Sequence, residues 1–91
     1  MSEYRFIHDP GHGWLEVPVS ELLALGIADQ VSAYSYQSRN GLRAYLEEDC
    51  DFSLFARAKG WTSWPEHLIQ DIYQDPTFVR DLPSYALKEA A

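Results

Sequence analysis

Two short runs of aromatic and β-branched residues near the N-terminus predict a pair of strands. Residues 4–7 (YRFI) and 14–17 (WLEV) have the side chains that strands favour. The residues between them, 8–13, include one proline and two glycines, which suit the backbone angles of a turn. The pattern therefore predicts a β-hairpin whose loop is formed by residues 8–13.

A short helix is expected to follow this hairpin at residues 18–25. Proline is tolerated in the first turn of a helix, where Pro18 lies, and glycine often follows the last residue, where Gly26 lies. Leu22 and Ile27 have the spacing of the hydrophobic contact that accompanies a glycine-ended helix. We therefore expect the helix to end at residue 25.

A second hairpin is predicted within residues 33–47. An Asn-Gly pair at positions 40–41, flanked by alternating side chains, favours a two-residue type I′ turn. Because strand side chains alternate between faces, Tyr34, Tyr36 and Tyr45 would share one face. The partners that the turn sets across the hairpin are Arg39 with Leu42, Tyr36 with Tyr45, and Tyr34 with Glu47.

The tyrosine face of this hairpin is expected to be partly buried beneath helices. The opposite face, with its alanine, serine and glutamine side chains, is too small and too polar to hold a core alone. The alternative is that the tyrosines form part of a protein interface, where aromatic residues are enriched. Stacking on RNA bases is disfavoured because basic residues are scarce around these tyrosines.

The C-terminal half has the pattern of helices. Residues 51–59 place apolar side chains in helical rows, and Gly60 follows as a stop signal. Residues 63–66 (SWPE) resemble a capping box, and the helix that they open would extend to residues 75–76 (DP). The apolar side of that helix would consist of Trp64, Leu68, Ile69 and Ile72.

The resulting order of elements, ββαββαα, predicts an α+β fold. A small antiparallel sheet of about four strands, arranged as two hairpins, would be covered on one face by the C-terminal helices. A chain of 91 residues favours one domain, and we expect its last residues, 85–91, to fray.

The composition is that of a folded, acidic protein. Hydrophobic residues make up 46% and aromatic residues 14% of the chain, and disordered segments are poor in aromatic residues. Fourteen acidic residues against seven Lys and Arg give a net charge of −7, which disfavours nucleic acids and membrane surfaces and favours partners with basic surfaces. A single cysteine, no signal-peptide start and no apolar run of ~20 residues predict a cytoplasmic protein without an internal disulfide.

The sequence HDPGHGWLEV at residues 8–17 invites a metal-site or catalytic interpretation. His8 and His12 are four residues apart, but the proline and glycine between them disfavour the helix on which this spacing brings two ligands together. A zinc site needs three or four ligands, and the other nitrogen and sulfur donors, His67 and Cys50, are distant in sequence. We therefore expect no metal and no cofactor, with Asp9 capping the turn.

The segment 47–51 (EEDCD) carries four acids in five positions. Asp49 and Asp51 precede a predicted helix, where carboxylates cap amide groups, so one interpretation is a solvated cap. The other is a partner-facing acidic patch. If the strand continued to Asp51, alternate acids would form a row that tracks about every second phosphate of a nucleic-acid strand. The same acids are expected to raise the pKa of the Cys50 thiol and so to disfavour a nucleophilic thiolate.

Three stretches of the chain together resemble one family. They are DPGHGWLEV at 9–17, YSY at 34–36 and YLEEDCD at 45–51, and the pattern is similar to that of small proteins carried by bacteriophages, plasmids and other mobile elements. The resemblance covers residues 4–60 and carries over no catalytic residue. It implies a setting in which small acidic proteins often inhibit host defence, as anti-CRISPR proteins do by occluding a nucleic-acid-binding surface.

These observations lead to a functional hypothesis. We expect a non-enzymatic binding protein of a mobile element that occupies a basic, nucleic-acid-binding surface on a host protein or nucleoprotein complex. One alternative is a metal- or cysteine-dependent hydrolase centred on His8, His12 and Cys50, and another is an accessory phage protein that acts through oligomerisation. The residues expected to contact the partner are Glu47, Glu48, Asp49, Asp51, Tyr34, Tyr36 and Tyr45.

Overall fold

The computed structural model of the chain describes residues 3–87, which fold around one five-stranded sheet. Its strands are β1 (Tyr4–His8), β2 (Gly13–Pro18), β3 (Tyr36–Gln37), β4 (Arg43–Glu47) and β5 (Ile69–Tyr73). The helices are α1 (Val19–Ala24) and α2 (Phe52–Lys59), with short 3-10 helices at Ala28–Gln30, Glu66–Leu68 and Phe78–Asp81. The strand order is β3-β4-β2-β1-β5, and the pairs are antiparallel except β1 with β5. Neither α1 nor α2, the α-helices of residues 3–87, has the length and apolar character needed to cross a membrane.

The first hairpin is confirmed, with β1 and β2 paired from Arg5 and Glu16 to His8 and Gly13. Its loop is closed by Asp9, whose backbone N–H donates to the carbonyl oxygen of His12 at 2.9 Å. One carboxylate oxygen of Asp9, Oδ1, also accepts the backbone N–H groups of Gly11 and His12, each at 2.9 Å. The expected role of Asp9 as the residue that caps this turn is therefore confirmed.

The second hairpin has the predicted register but a different turn. Tyr36 pairs with Tyr45, as expected. A type I′ turn needs positive φ at both central residues, whereas within residues 3–87 only glycines have positive φ, among them Gly41 at +75°. The Asn40 side chain accepts the Ser38 hydroxyl at 2.7 Å and the backbone N–H of residue 42 at 3.0 Å, which stabilises a wider loop. The type I′ prediction is therefore wrong, and β3 is only two residues long.

The predicted ends of helix α1 are close to the observed ones. Pro18 is the last residue of β2 and precedes the helix, and Gly26 follows its end with φ of +73°. The backbone N–H of Ile27 donates to the carbonyl oxygen of Leu22 at 3.0 Å. Both of these side chains lie in the main core, which confirms the glycine-ended helix predicted from their spacing.

The second C-terminal helix is a wrong prediction, because residues 69–73 form strand β5. Helix α2 does form, but after the 3-10 helix Glu66–Leu68 the chain extends and pairs in parallel with β1. Ile69 lies beside Tyr4 and Ile72 beside Ile7, so these two isoleucines go to opposite sides of the sheet. A three-residue spacing of apolar side chains fits a helix, but it also fits a strand that is covered on both faces.

Apolar side chains cover both faces of the sheet, not one face as expected. The main core lies on the side of α1 and α2 and includes Leu15, Val17, Leu22, Ala44, Leu46 and Phe55. The smaller core on the other side consists of Ile7, Trp14, Tyr45 and Val79. The face of β4 opposite the tyrosines was expected to be too small for a core, but Ala44 and Leu46 join larger side chains from β2.

The chain beyond the last 3-10 helix returns to the sheet. Tyr85 is buried, and its backbone N–H donates to the carbonyl oxygen of Ser35 at 2.8 Å. Its hydroxyl donates to the carbonyl oxygen of Ala28. Residues 85–91 were expected to fray, but Tyr85 lies in the main core. Residues 88–91 lie outside the described part of the chain.

An ion pair between the half-exposed Arg5 and the buried Glu16, in the centre of the sheet, predicts a pH-dependent stability. Arg5 donates to both carboxylate oxygens of Glu16, at 2.7 and 2.6 Å, and the Tyr45 hydroxyl donates to the same carboxylate at 2.9 Å. Burial raises the pKa of Glu16, but these hydrogen bonds outweigh it and hold the pKa below its usual 4.5.

Replacing Glu16 with glutamine is expected to lower the free energy of unfolding at pH 7 by about 2 kcal/mol, the scale of hydrogen bonds to a charged group. Because the native pKa is lowered, this contribution is present above the unfolded pKa and is lost as the pH falls through the native value. Urea unfolding of both proteins between pH 7 and pH 3 measures this, with Glu48→Gln as a control at an exposed carboxylate. A difference between wild type and Glu16→Gln that stays constant over this range would contradict the ion pair.

Candidate functional site

One cleft brings together segments that are far apart in the sequence. It has a volume of about 350 Å³ and lies beside the smaller core. The first loop, strand β2, the start of the second hairpin, the turn after β4 and the last 3-10 helix all contribute to it. Its lining residues are His12, Trp14, Tyr34, Tyr36, Glu47, Asp49, Cys50 and Arg80.

Aromatic rings form one wall of the cleft. The rings of Trp14 and Tyr36 meet edge to face with centroids 6.0 Å apart, and the His12 ring lies 6.0 Å from the Trp14 ring. Trp14 is buried, whereas Tyr34 at the rim is 74% exposed. The cleft therefore has a fixed aromatic wall and one freely accessible aromatic side chain at its edge.

Arg80 lines the cleft, but its charge is already paired. Its Nε and Nη2 donate to the two carboxylate oxygens of Asp9 at 2.7 and 3.0 Å, and its guanidinium lies 5.2 Å from the centre of the Trp14 ring. The Arg80 guanidinium, helped by the backbone N–H groups of the loop, holds the pKa of Asp9 well below its usual range. Arg80 therefore fixes the first loop beside the cleft, and the carboxylate with which it pairs is Asp9, not Glu47 or Asp49.

The acidic segment 47–51 divides into internal and exposed members. Asp51 is buried and accepts the backbone N–H of Ser32 at 3.1 Å, the Ser32 hydroxyl at 2.7 Å and the Ser35 hydroxyl. Glu48 and Asp49 are exposed. Strand β4 ends at Glu47 and α2 begins at Phe52, so the acids do not form the alternating row that a longer strand would have produced. A side-chain cap on α2 was also expected, but within residues 3–87 no side chain makes this hydrogen bond. The Asp51 carboxylate is bound to Ser32 and Ser35 instead.

Glu47 is a buried carboxylate whose surroundings differ from those of Asp9 and Glu16. Asp9 and Glu16 are each paired with an arginine, but within residues 3–87 no Lys or Arg lies within ion-pair distance of Glu47. Its Oε2 accepts the backbone N–H of Asp49 at 3.0 Å. Its Oε1 faces the Nδ1 atom of His12 at 3.4 Å. Among the described residues, Glu47 therefore has neutral hydrogen-bond donors and the nearby His12 ring, but no Lys or Arg partner.

The three tyrosines of the second hairpin occupy different environments. Tyr45 is buried in the smaller core, and its hydroxyl donates to Glu16. Burial, together with that hydrogen bond, raises the pKa of Tyr45 to about 12. Tyr36 is half-buried against Trp14, and Tyr34 is exposed. The expectation of partial burial thus describes Tyr36, and only Tyr34 and Tyr36 line the cleft.

The structure separates the residues of the hydrolase alternative. His12 and Cys50 line the cleft, whereas His8 lies elsewhere, with its Nε2 atom 2.9 Å from Asp71 Oδ2 and its ring stacked on Phe6. A hydrogen bond to Glu47, together with burial and the neighbouring carboxylates, raises the pKa of the Cys50 thiol. The expected effect of the acids on Cys50 is confirmed, and it disfavours a thiolate nucleophile at this site.

Arg80 and Trp14 belong to the cleft, and sequence reasoning did not include them among the site residues. Arg80 is an isolated cation in a short C-terminal segment, and its pairing with Asp9, 71 positions away, has no local signal. Trp14 directly follows the first loop in the sequence, and the His12 ring lies 6.0 Å from its ring. Comparisons with protein-family models, curated proteins and solved structures found no match for this chain.

Proposed function

We propose that this is a non-enzymatic binding protein whose cleft receives a basic side chain from the surface of a partner protein. The observation that carries the proposal is a cleft that Glu47 and Asp49 line together with the rings of Tyr34 and Tyr36, and whose own cation, Arg80, is already bound to Asp9. A guanidinium can stack on an aromatic ring while it donates to a carboxylate, so the cleft has the two features that an arginine uses.

The charge of the whole chain supports the same kind of partner. A net charge of −7 attracts a basic surface over a longer range than the cleft itself and raises the rate of encounter. Glu48 and Asp49 are exposed at the turn after β4, and Tyr34 is exposed at the rim of the cleft. Of the seven residues expected to contact a partner, we assign direct contact to Tyr34, Tyr36, Glu47, Glu48 and Asp49. Asp51 and Tyr45 stabilise the fold beneath them.

The biological role that we propose follows from the resemblance to proteins of mobile elements. In that role the partner is a host defence protein or nucleoprotein complex, and the protein inhibits it by occupying a basic surface that otherwise binds nucleic acid. Segment 47–51 leaves β4 and forms a turn, so its acids do not lie in a straight row. The protein would therefore compete through its negative potential and by binding a basic side chain of the partner in the cleft. It would not copy the spacing of phosphates.

A peptide-binding experiment tests the cleft directly. In buffer with a metal chelator, we expect the protein to bind a fluorescent glycine-flanked arginine peptide, and to bind the same peptide with citrulline much more weakly. The double variant Glu48→Gln/Asp49→Asn should lower the affinity for the arginine peptide by about tenfold, because it removes two nearby charges worth a few tenths to one kcal/mol each. Fluorescence anisotropy measures the binding.

The matched control removes two charges elsewhere on the surface. Asp29 and Glu66 are exposed and do not line the cleft, so Asp29→Asn/Glu66→Gln has the same net charge as the test variant. We expect the control to bind the arginine peptide within about twofold of wild type. Equal weakening by both double variants would show that only overall charge matters, and equal binding of the citrulline peptide would contradict recognition of a cation.

A further inference from the structure

We propose that His12, Glu47 and Asp49 form a binding site for one divalent transition-metal ion of the zinc type at the edge of the cleft. Each residue offers one ligand atom, and the three atoms all lie within 4.8 Å of one another. They come from the first loop, the end of β4 and the turn that follows it. The site uses the same carboxylates as the proposed function, but it rests on observations of its own.

The distance between His12 and Glu47 fits a metal better than it fits a direct hydrogen bond. The Nδ1 atom of His12 and the Oε1 atom of Glu47 are 3.4 Å apart, which is long for a hydrogen bond between such groups. Zinc binds nitrogen and oxygen ligands at about 2.0–2.2 Å, so two ligands of a tetrahedral zinc ion are separated by about 3.4 Å. The two atoms therefore already have the separation that a shared zinc ion requires.

The burial of Glu47 supplies an independent reason for a cation at this place. The Glu47 side chain is about nine-tenths buried, with 10% of it exposed. A buried carboxylate is most stable when a cation balances its charge, but the donors that Glu47 has among residues 3–87, the backbone N–H of Asp49 and the Cys50 thiol, are neutral, and no Lys or Arg lies within ion-pair distance. A divalent ion between Glu47, Asp49 and a neutral His12 would balance the two negative charges.

The two loops that carry the ligands are held together before any ion binds. The backbone N–H of Glu48 donates to the carbonyl oxygen of Gly13 at 3.0 Å, which joins the turn after β4 to the first loop. Asp9 accepts the backbone N–H of His12 and is itself bound by Arg80. The ligands therefore lie on segments whose backbones are already fixed, so little ordering is needed to bind the ion.

The ligand types indicate which ions the site prefers. An imidazole nitrogen with carboxylate oxygens suits zinc and similar transition metals, whereas magnesium and calcium favour oxygen ligands alone. Three protein ligands leave a fourth position of a tetrahedral ion free for water or for a donor from a partner. Because the ion would neutralise Glu47 and Asp49, we expect it to compete with the basic side chain of the proposed function.

Calorimetry with zinc chloride on the chelator-treated full chain tests this site. We expect wild type to bind one Zn²⁺ per chain with Kd below about 10 μM, and to show no saturable binding of MgCl₂. His12→Ala and Asp49→Asn should each weaken Zn²⁺ binding by at least about tenfold. Both side chains are on the surface, so circular dichroism is expected to show that these variants remain folded. Co²⁺ in place of Zn²⁺ gives a second readout, through the visible absorption of a tetrahedral site.

The control variants are the other two histidines. His8→Ala and His67→Ala should bind Zn²⁺ like wild type, because neither residue lines the cleft. The proposal is overturned if wild type shows no saturable Zn²⁺ binding up to about 1 mM, or if His8→Ala or His67→Ala weakens binding as much as His12→Ala does. Zn²⁺ binding without arginine-peptide binding would contradict the proposed function alone, and the reverse result would contradict the metal site alone.

Discussion

Replacing Asp51 with alanine is expected to lower the free energy of unfolding by about 3 kcal/mol, although the residue lies in a segment that reads as a surface acidic run. Its buried carboxylate accepts three groups from the loop before β3: the backbone N–H and the hydroxyl of Ser32 and the hydroxyl of Ser35. Removing the carboxylate leaves these donors in a partly buried environment without an acceptor, and each such group costs about 1–3 kcal/mol.

The matched control for Asp51 is Asp49, two residues earlier and exposed. Asp49→Ala should change the free energy of unfolding by less than about 0.5 kcal/mol. Urea unfolding followed by tryptophan fluorescence measures both variants. If Asp51→Ala were as mild as Asp49→Ala, Asp51 would not hold the loop, and its assignment as a direct partner contact would regain support. If the assignment is correct, Asp51→Ala also loosens the segment that carries Tyr34 and weakens arginine-peptide binding indirectly.

Replacing Gly13 with alanine is expected to destabilise the protein by about 2–3 kcal/mol, the scale of overpacking in a filled core. A Cβ atom at this position would lie 2.3 Å from Cζ of the Phe6 ring and 2.9 Å from Cε2. The ring lies directly across the backbone of the glycine, so either the side chain or the strand must move. Gly13 is thus required because of a close approach, and not because of an unusual backbone angle.

A double-mutant cycle with Phe6 tests this explanation. In a Phe6→Leu background the ring is gone, so the cost of Gly13→Ala should fall by more than half. Urea unfolding of wild type, the two single variants and the double variant gives the coupling energy. Gly11→Ala is a useful comparison, because the nearest atom there is Nη2 of Arg80 at 3.2 Å, a longer distance than that to the Phe6 ring, and its effect should be smaller. An equal cost of Gly13→Ala with and without the Phe6 ring would contradict the steric explanation.

Local signals in the sequence led to correct predictions where a turn or a helix end is stabilised by residues only a few positions apart. Asp9 caps its own turn, Gly26 ends α1 and Gly60 ends α2, each through hydrogen bonds or backbone angles within a few residues. The register of the second hairpin was also correct at Tyr36 and Tyr45, although the turn itself was not. In that turn, the side chain of Asn40 formed hydrogen bonds that a rule based on backbone angles alone does not include.

Contacts between residues far apart in the sequence explain the main wrong predictions. Residues 69–73 have a spacing that fits a helix, and only the free edge of β1 makes them a strand. The smaller core and the cleft likewise depend on contacts between segments far apart in the chain, such as Arg80 with Asp9. The acidic run could be located from the sequence, but which of its carboxylates are buried depends on the serines that face Asp51.

The sequence by itself determined the α+β class, the first hairpin, the ends of α1 and α2 and the acidic composition. Those properties depend on composition and on contacts between residues a few positions apart, so they can be identified without the tertiary structure. Only the tertiary structure decided the fifth strand, the second core, the division of the acids and the meeting of His12 with Glu47 and Asp49. Each of these depends on which distant surfaces meet, because backbone edges and buried charges find their partners only after the sheet is assembled.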